Sequence, residues 1–231
     1  PAQDTSGLAY GYLQSKWVAE QLVLAARERG LPVSLYRPTF IGWHSRTGVH
    51  NKHDFMCGLI DGCLQLGAAP ELDLSVEVAA VDYVVDAILQ LSSDTQSLGR
   101  AFNVGNPARV PWSEVVELCR KLGWPLRSLP YAEWRTLLGK TRDNPAYASH
   151  SMLPEVGDDS GSTVADALAA QRIPRLGAEH IRRGLAGTGI ACPTLDAALL
   201  KPHFAHLRRT RAYDLKGAAR PLDERALLPR A

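Results

Sequence analysis

The chain has 231 residues, 45% apolar and 22% charged, and its 26 basic and 24 acidic side chains leave a formal charge of +2. That size can bury one good core, as a single domain or a domain with an appended lobe. The near balance of charge gives no electrostatic case for nucleic acid or a membrane surface as partner, and no apolar run is long enough to span a bilayer.

In chain order, the first predicted helix runs from Tyr10 to Glu28, with Trp17, Val18, Leu22, Val23 and Ala26 as an apolar stripe and Gly30 as its stop. "LPVSLYRP" reads as a short buried strand closed by Pro38. A loop follows from Thr39 to His53, turning at Gly42 and Gly48, and Asn51 or Asp54 can cap a helix ending at Leu66. Next come a strand near Leu74 to Val78, a helix that Asp82 can cap, and the strand in "RAFNVGNP". Short strands alternating with helices define an α/β class.

Beyond Pro111 the pattern becomes mostly helical, through "WSEVVELCRKLG" and "YAEWRTLL" to a loose "MLPEVGDDSGST" linker. "CPTLDAALLKPHFAHLRR" reads as an amphipathic helix with Leu195, Ala198, Leu199, Phe204 and Leu207 on one face and Pro202 as a bend. Trp112, Trp124 and Trp134 read as core of this part. The expected division is a Rossmann-like core over residues 1–110, a helical lobe over 111–209 and a loosely held tail over 210–231. Cys57, Cys63, Cys119 and Cys192 are scattered without close pairs and read as reduced, mostly buried side chains of a cytoplasmic protein.

One pair carries chemistry. Tyr12 and Lys16 stand four residues apart, one turn apart on the same helix face. A phenol titrates near 10 on its own and is a poor proton donor or acceptor at neutral pH. A neighbouring ammonium favours the phenolate, so the pair can exchange a proton with a carbonyl oxygen while hydride moves at carbon. The same spacing on an ordinary polar helix face would have no such role. His44, His50 and His53 share one loop but lack a ligand frame, so they read as solvent-facing side chains and no metal is assigned.

The surroundings of the pair resemble a family. Gly11-Tyr12, Ser15-Lys16-Trp17, Arg37-Pro38, Ile41-Gly42, Thr47-Gly48, Asn51 and Asp54, continuing through Val81-Asp82-Tyr83-Val84 and Phe102-Asn103-Val104, are similar to extended short-chain dehydrogenase/reductases. More narrowly they resemble the thioester reductase domains of nonribosomal peptide synthetases and carboxylic acid reductases. That resemblance implies a Rossmann-like fold with a mostly helical substrate-binding lobe. It also implies NADPH-dependent release of an acyl or peptidyl thioester, carried on the phosphopantetheine arm of a carrier protein, as an aldehyde or alcohol. By it, Tyr12 acts at the carbonyl oxygen and Lys16 on the nicotinamide ribose. Arg37, Pro38, Thr39, Phe40 and Ile41 supply the cofactor-contacting segment. Trp43, Thr47, Gly48, Asn51 and Asp54 shape the substrate entrance. The arginines Arg172, Arg175, Arg182, Arg183, Arg208, Arg209 and Arg211 either suit an acidic carrier or are solvated surface.

The sequence contains no Gly-rich turn between a strand and a helix, the feature that cradles a dinucleotide pyrophosphate. In the family that half lies upstream of the tyrosine. The 231 residues therefore read as the carboxy-terminal portion of a reductase, expected to bind NADPH poorly alone and to meet an upstream reductase segment or other synthetase modules. Two alternatives stay open: another extended reductase or epimerase, and a non-catalytic module that docks a carrier.

Overall fold

A computed structural model describes residues 11–153 and 177–210. Thr5, Ser6, most of the expected linker and the tail after Thr210 lie outside the described residues.

Helix α1 spans Gly11–Glu28. Its interior holds neither Gly nor Pro and is rich in Leu, Ala, Gln and Glu, all favourable in helices. It ends where Gly30 enters the left-handed region at φ 91°. There Gly30 N–H donates to Arg27 and Leu31 N–H to Ala26, which satisfies two terminal carbonyls. The half-buried face of α1 carries Leu13, Trp17, Gln21 and Leu24, whereas Val18 and Leu22 are 49% and 68% exposed. The predicted stripe thus splits: Trp17 faces the protein, and Val18 and Leu22 form an outward apolar ridge. No side chain of α1 is fully buried.

The strands are short and pair across long stretches of chain. β1 (Leu35–Pro38) runs parallel to β6 (Ala101–Val104), with Tyr36 opposite Phe102. β2 (Phe40–Ile41) runs parallel to β5 (Val78–Ala79), and β3 (Ala68–Pro70) to β8 (Arg127–Leu129). β4 (Ser75–Val76) meets β7 (Val110–Pro111) in the one antiparallel pair among the described strands. The single strand expected near Leu74 to Val78 is therefore two, because Val76 and Val78 pair with different partners on either side of Glu77.

Between these strands lie α2 (Phe55–Leu66) and α3 (Val81–Ser92); α4 (Trp112–Lys121), α5 (Tyr131–Gly139), α6 (Glu179–Gly184) and α7 (Ala197–Thr210) follow. Asp54 caps α2 as expected, accepting from Cys57 N–H at 2.9 Å, and Gly67 closes that helix at φ 63°. Asp82 does not cap α3; Ala80 holds the cap position without a side-chain bond.

One apolar cluster joins the α/β part to the helical part. Trp112, Trp124 and Trp134 are buried in it. The indole N–H groups of Trp112 and Trp134 donate to the carbonyls of Pro70 and Ala68 on β3, at 2.8 and 3.1 Å. Each bond satisfies a buried polar group as it docks the lobe. Cys57, Cys63 and Cys119 are free, buried thiols.

Candidate active site

Tyr12 is 63% exposed on the first turn of α1. The Lys16 ammonium lies 5.4 Å from the centre of its ring, so the two side chains share one solvent-facing surface. The Ser15 hydroxyl donates to the Tyr12 carbonyl at 2.7 Å and is occupied by its own helix.

α1 is clamped to β1 by Glu20. The Arg37 guanidinium donates to both carboxylate oxygens, from Nε at 2.9 Å and Nη2 at 2.5 Å. A second tie runs from Arg27 to the Gly99 carbonyl at 2.9 Å. Arg37, expected at the cofactor, is thus committed to orienting the helix that carries Tyr12 and Lys16. The hydrogen bond from Arg37, against opposing desolvation, holds the Glu20 carboxyl below its usual range. A depressed acid stabilises the fold above its unfolded pKa, near 4.3, and loses that contribution as pH falls through the folded value. Glu20→Gln should therefore cost about 1 kcal/mol at neutral pH and flatten the acid limb of the stability profile, as measured by denaturant unfolding from pH 3 to 7.

The segment Pro38 to Ile41 leaves the carboxyl ends of the parallel pair β1 and β6, where open α/β sheets receive ligands. Thr39 N–H donates to the Val104 carbonyl at 3.2 Å, and its hydroxyl oxygen is buried with no hydrogen-bond partner. A Cβ on Gly105 would sit 2.7 Å from that hydroxyl, so glycine keeps the strand end close to it. Pro38 is exposed, and Phe40 stacks on Phe55 at 6.1 Å. This strand end is where the resemblance places the nicotinamide-ribose end of a dinucleotide. The pyrophosphate end finds no Gly-rich turn in this sequence.

The loop from Trp43 to Asp54 differs most from expectation. Thr47 and Asn51 are exposed, Asn51 accepting from His53 N–H at 3.0 Å. Trp43 is 1% exposed, stacks on His203 at 4.6 Å and donates its indole N–H to the Leu199 carbonyl at 2.6 Å. It packs under the loop instead of facing an open cleft. Gly48 is buried at φ 72° against Pro202 and His203 of α7. Asp54 is occupied in the α2 cap. Asp82 accepts from the Ser45 N–H at 2.9 Å and hydroxyl at 2.5 Å, holding this loop from the first turn of α3. Burial opposes ionisation of Asp82, but these bonds keep its carboxyl below the usual range.

His53 faces solvent as expected, but His50 does not: its side chain is 4% exposed and lies 3.1 Å from Asp61 of α2. His203 of α7 meets the same carboxylate at 2.7 Å. The ligating atoms of the three side chains lie within 4.8 Å of one another. Sequence spacing missed this cluster because its members come from a loop and two distant helices. A surface hollow of about 500 Å³ lies along α5, lined by Arg127, Leu129, Glu133 and Lys140, and includes none of the candidate site residues. Of the basic side chains, Arg183 pairs with Glu179 at 2.8 Å, and Arg208 lies over Trp124 at 5.1 Å. Arg172, Arg175 and Arg211 lie outside the described residues. No helix among the described residues is long and apolar enough to cross a membrane.

Parallel strands joined through helices, with an exposed Tyr/Lys pair on the helix clamped to β1, define a Rossmann-like chain of the extended short-chain dehydrogenase/reductase class. The family model described as male sterility protein, an NAD-binding group, matches residues 2–88. Aldehyde reductase lnbA of Aspergillus flavus is 34% identical over 204 residues, covering 86% of this chain and 18% of that protein. The solved terminal R domain from the myxalamid PKS-NRPS biosynthetic pathway is 34% identical with a TM-score of 0.78, covering 93% of this chain and 53% of that one. A thiolation-reductase di-domain from an archaeal non-ribosomal peptide synthetase shares the fold, at 21% identity and a TM-score of 0.67 over 91% of this chain and 42% of that one. In sequence and structure the chain is homologous to reductase domains of nonribosomal peptide synthetases. It spans about half the length of the solved R domain and under a fifth of the fungal relative.

Proposed function

We propose that this chain is the Tyr/Lys-bearing part of a reductase that releases an acyl or peptidyl thioester, held on the phosphopantetheine arm of a carrier protein, as an aldehyde. The observation that carries the reading is the exposed Tyr12–Lys16 pair on a helix fixed through Glu20 and Arg37 to the strand that delivers Thr39 to Ile41. NADPH, when bound, supplies the hydride. Tyr12 donates a hydrogen bond or proton to the thioester carbonyl oxygen as negative charge develops there. Lys16 holds the ribose hydroxyls and keeps the phenol oriented. Thr39, Phe40 and Ile41 form the wall beside the nicotinamide, and the exposed Thr47 and Asn51 line the entrance for the acyl arm. Pro38 sets the exit of the strand. Arg37, Trp43, Gly48 and Asp54 act one layer back, by holding these segments. Collapse of the resulting adduct breaks the C–S bond, releasing the aldehyde and the pantetheine thiol; a second round gives the alcohol.

The pyrophosphate half of the cofactor site is supplied by the rest of the reductase. The test is NADPH titration and turnover on an acyl-pantetheine thioester, with the aldehyde identified, for the 231 residues alone and for the reductase that contains them. Tight NADPH binding and turnover are expected from the second and not the first. Full turnover by the 231 residues alone would overturn that division, and absence of aldehyde from the larger protein would overturn the reaction.

A further inference from the structure

His50, Asp61 and His203 are absent from the proposed chemistry, yet they form the most deeply buried cluster of ionisable groups among the described residues. Asp61 and His203 side chains are 0% exposed and His50 is 4% exposed. Each imidazole meets a different carboxylate oxygen through Nε2: His203 on Oδ1 at 2.7 Å, His50 on Oδ2 at 3.1 Å. The His203 contact is a hydrogen bond, whereas His50 makes a close polar contact only, and Asp61 Oδ2 and His50 Nδ1 are buried without a hydrogen-bond partner. The Nδ1 of His203 lies 3.3 Å from the Gly48 carbonyl. Both its ring nitrogens thus face oxygens, and His203 bridges α2 and the loop. A carboxylate buried in an apolar core persists only with such partners.

The three residues come from the loop, α2 and α7. Three ties from α7 end on the loop: His203 on Gly48, Leu199 on the Trp43 indole, and the Trp43 ring stacked on His203. We propose that His50, Asp61 and His203 are positioning residues, a buried triad gathered on one carboxylate that fixes the Thr47–Asn51 turn in the shape met by the acyl arm. The acyl half of this statement rests on the thioester reading; the triad and the turn do not.

The surrounding charges decide the pH response. Burial disfavours charging of His50, but the nearby Asp61 carboxylate, with Asp54 beyond, raises its pKa above the usual range. Burial likewise opposes ionisation of Asp61, yet His203 and His50 hold it low. His206 on α7 is pushed down by burial and by Arg209, His50 and His203. Cys57, Cys63 and Cys119 also face Asp61, and burial raises their thiols so that they stay neutral. A base with a raised folded pKa stabilises below its unfolded value and loses that contribution as pH climbs through the folded one. His50 therefore makes the turn firmer near pH 6 than near pH 8, and His206 opposes it.

The test combines three measurements on wild type, Asp61→Asn, His203→Gln, His50→Gln and His206→Gln. Imidazole ¹⁵N shifts should show His203 Nε2 hydrogen-bonded to the Asp61 carboxylate, with that signature changed in Asp61→Asn. Hydrogen exchange, corrected for intrinsic rate, should show residues 44–51 more protected at pH 6 than at pH 8. His50→Gln removes that difference and His206→Gln enlarges it, with α4 unchanged. In the reductase that contains the chain, His50→Gln should lower kcat/KM for the acyl thioester about 10- to 100-fold, through KM and not NADPH affinity. His50→Gln deletes only the longer contact and serves where Asp61→Asn does not fold. A His203 Nε2 that is not hydrogen-bonded to Asp61, unaltered turn protection in every variant, or one equivalent of zinc held by these side chains would each overturn the triad. A loosened turn with unchanged KM overturns its link to substrate alone, and loss of aldehyde production in wild type would instead sink the thioester reading.

Discussion

Tyr12→Phe is expected to lower kcat of the reductase on its acyl thioester by about 10²- to 10⁴-fold while leaving NADPH affinity nearly unchanged. The substitution removes one oxygen and keeps the ring. The Lys16 ammonium, 5.4 Å from the ring centre, retains its cation–π contact, and α1 retains the Glu20–Arg37 clamp. What disappears is the donor proposed at the carbonyl oxygen, whose charge would develop only as hydride arrives, so the loss should fall on the chemical step. Lys16→Ala should behave differently. It deletes a positive charge from the surface assigned to the ribose and frees the phenol to turn, so NADPH affinity and kcat should fall together. Stopped-flow single turnovers with NADPH binding measured separately distinguish the two patterns. An unchanged single-turnover rate in Tyr12→Phe would remove Tyr12 from the chemistry.

Gly48→Ala should destabilise the protein by about 2–4 kcal/mol, a sum of left-handed backbone strain and overpacking. Gly48 sits at φ 72°, and an added Cβ would lie 2.1 Å from the Pro202 carbonyl oxygen and 2.6 Å from the His203 Cα. Those are backbone atoms of α7, so no side chain can swing aside; the loop or the helix has to move. At Gly30, also at positive φ, the added Cβ meets nothing within 4 Å. Gly30→Ala should then carry the strain alone, about 1–2 kcal/mol. Chemical denaturation of both variants checks the difference, and equal losses would mean that the close approach at Pro202 is not tight.

How much of this was legible in the sequence depends on how far apart the partners lie. The α2 cap at Asp54 is a local contact three residues long, and local rules found it. Asp82 looked equally local, but Ser45, 37 residues earlier, supplies two donors to its carboxylate and outcompetes the α3 amides. The roles expected for Arg37 and Trp43 came from a family motif, which fixes residue type without saying which partner satisfies it. Arg37 turned to Glu20, 17 residues back, and Trp43 to Leu199, 156 residues on. His203 carried no signal of its own, because a histidine on the face of an amphipathic helix shows its purpose only when Asp61 is placed beside it. The apolar stripe of α1 was readable as a period but not as a direction: several apolar faces overlapped, and packing selected the one bearing Trp17.

The docking of α7 onto the loop at Trp43 and Gly48 has a practical reading for anyone recombining synthetases. A junction cut upstream of residue 197 and joined to a foreign carboxy-terminal helix would leave Trp43, Gly48 and His50 facing the wrong backbone, although they lie some 150 positions earlier. Chimeras joined beyond Thr210 keep the two together, and a library of junction points should show activity and solubility breaking together inside α7.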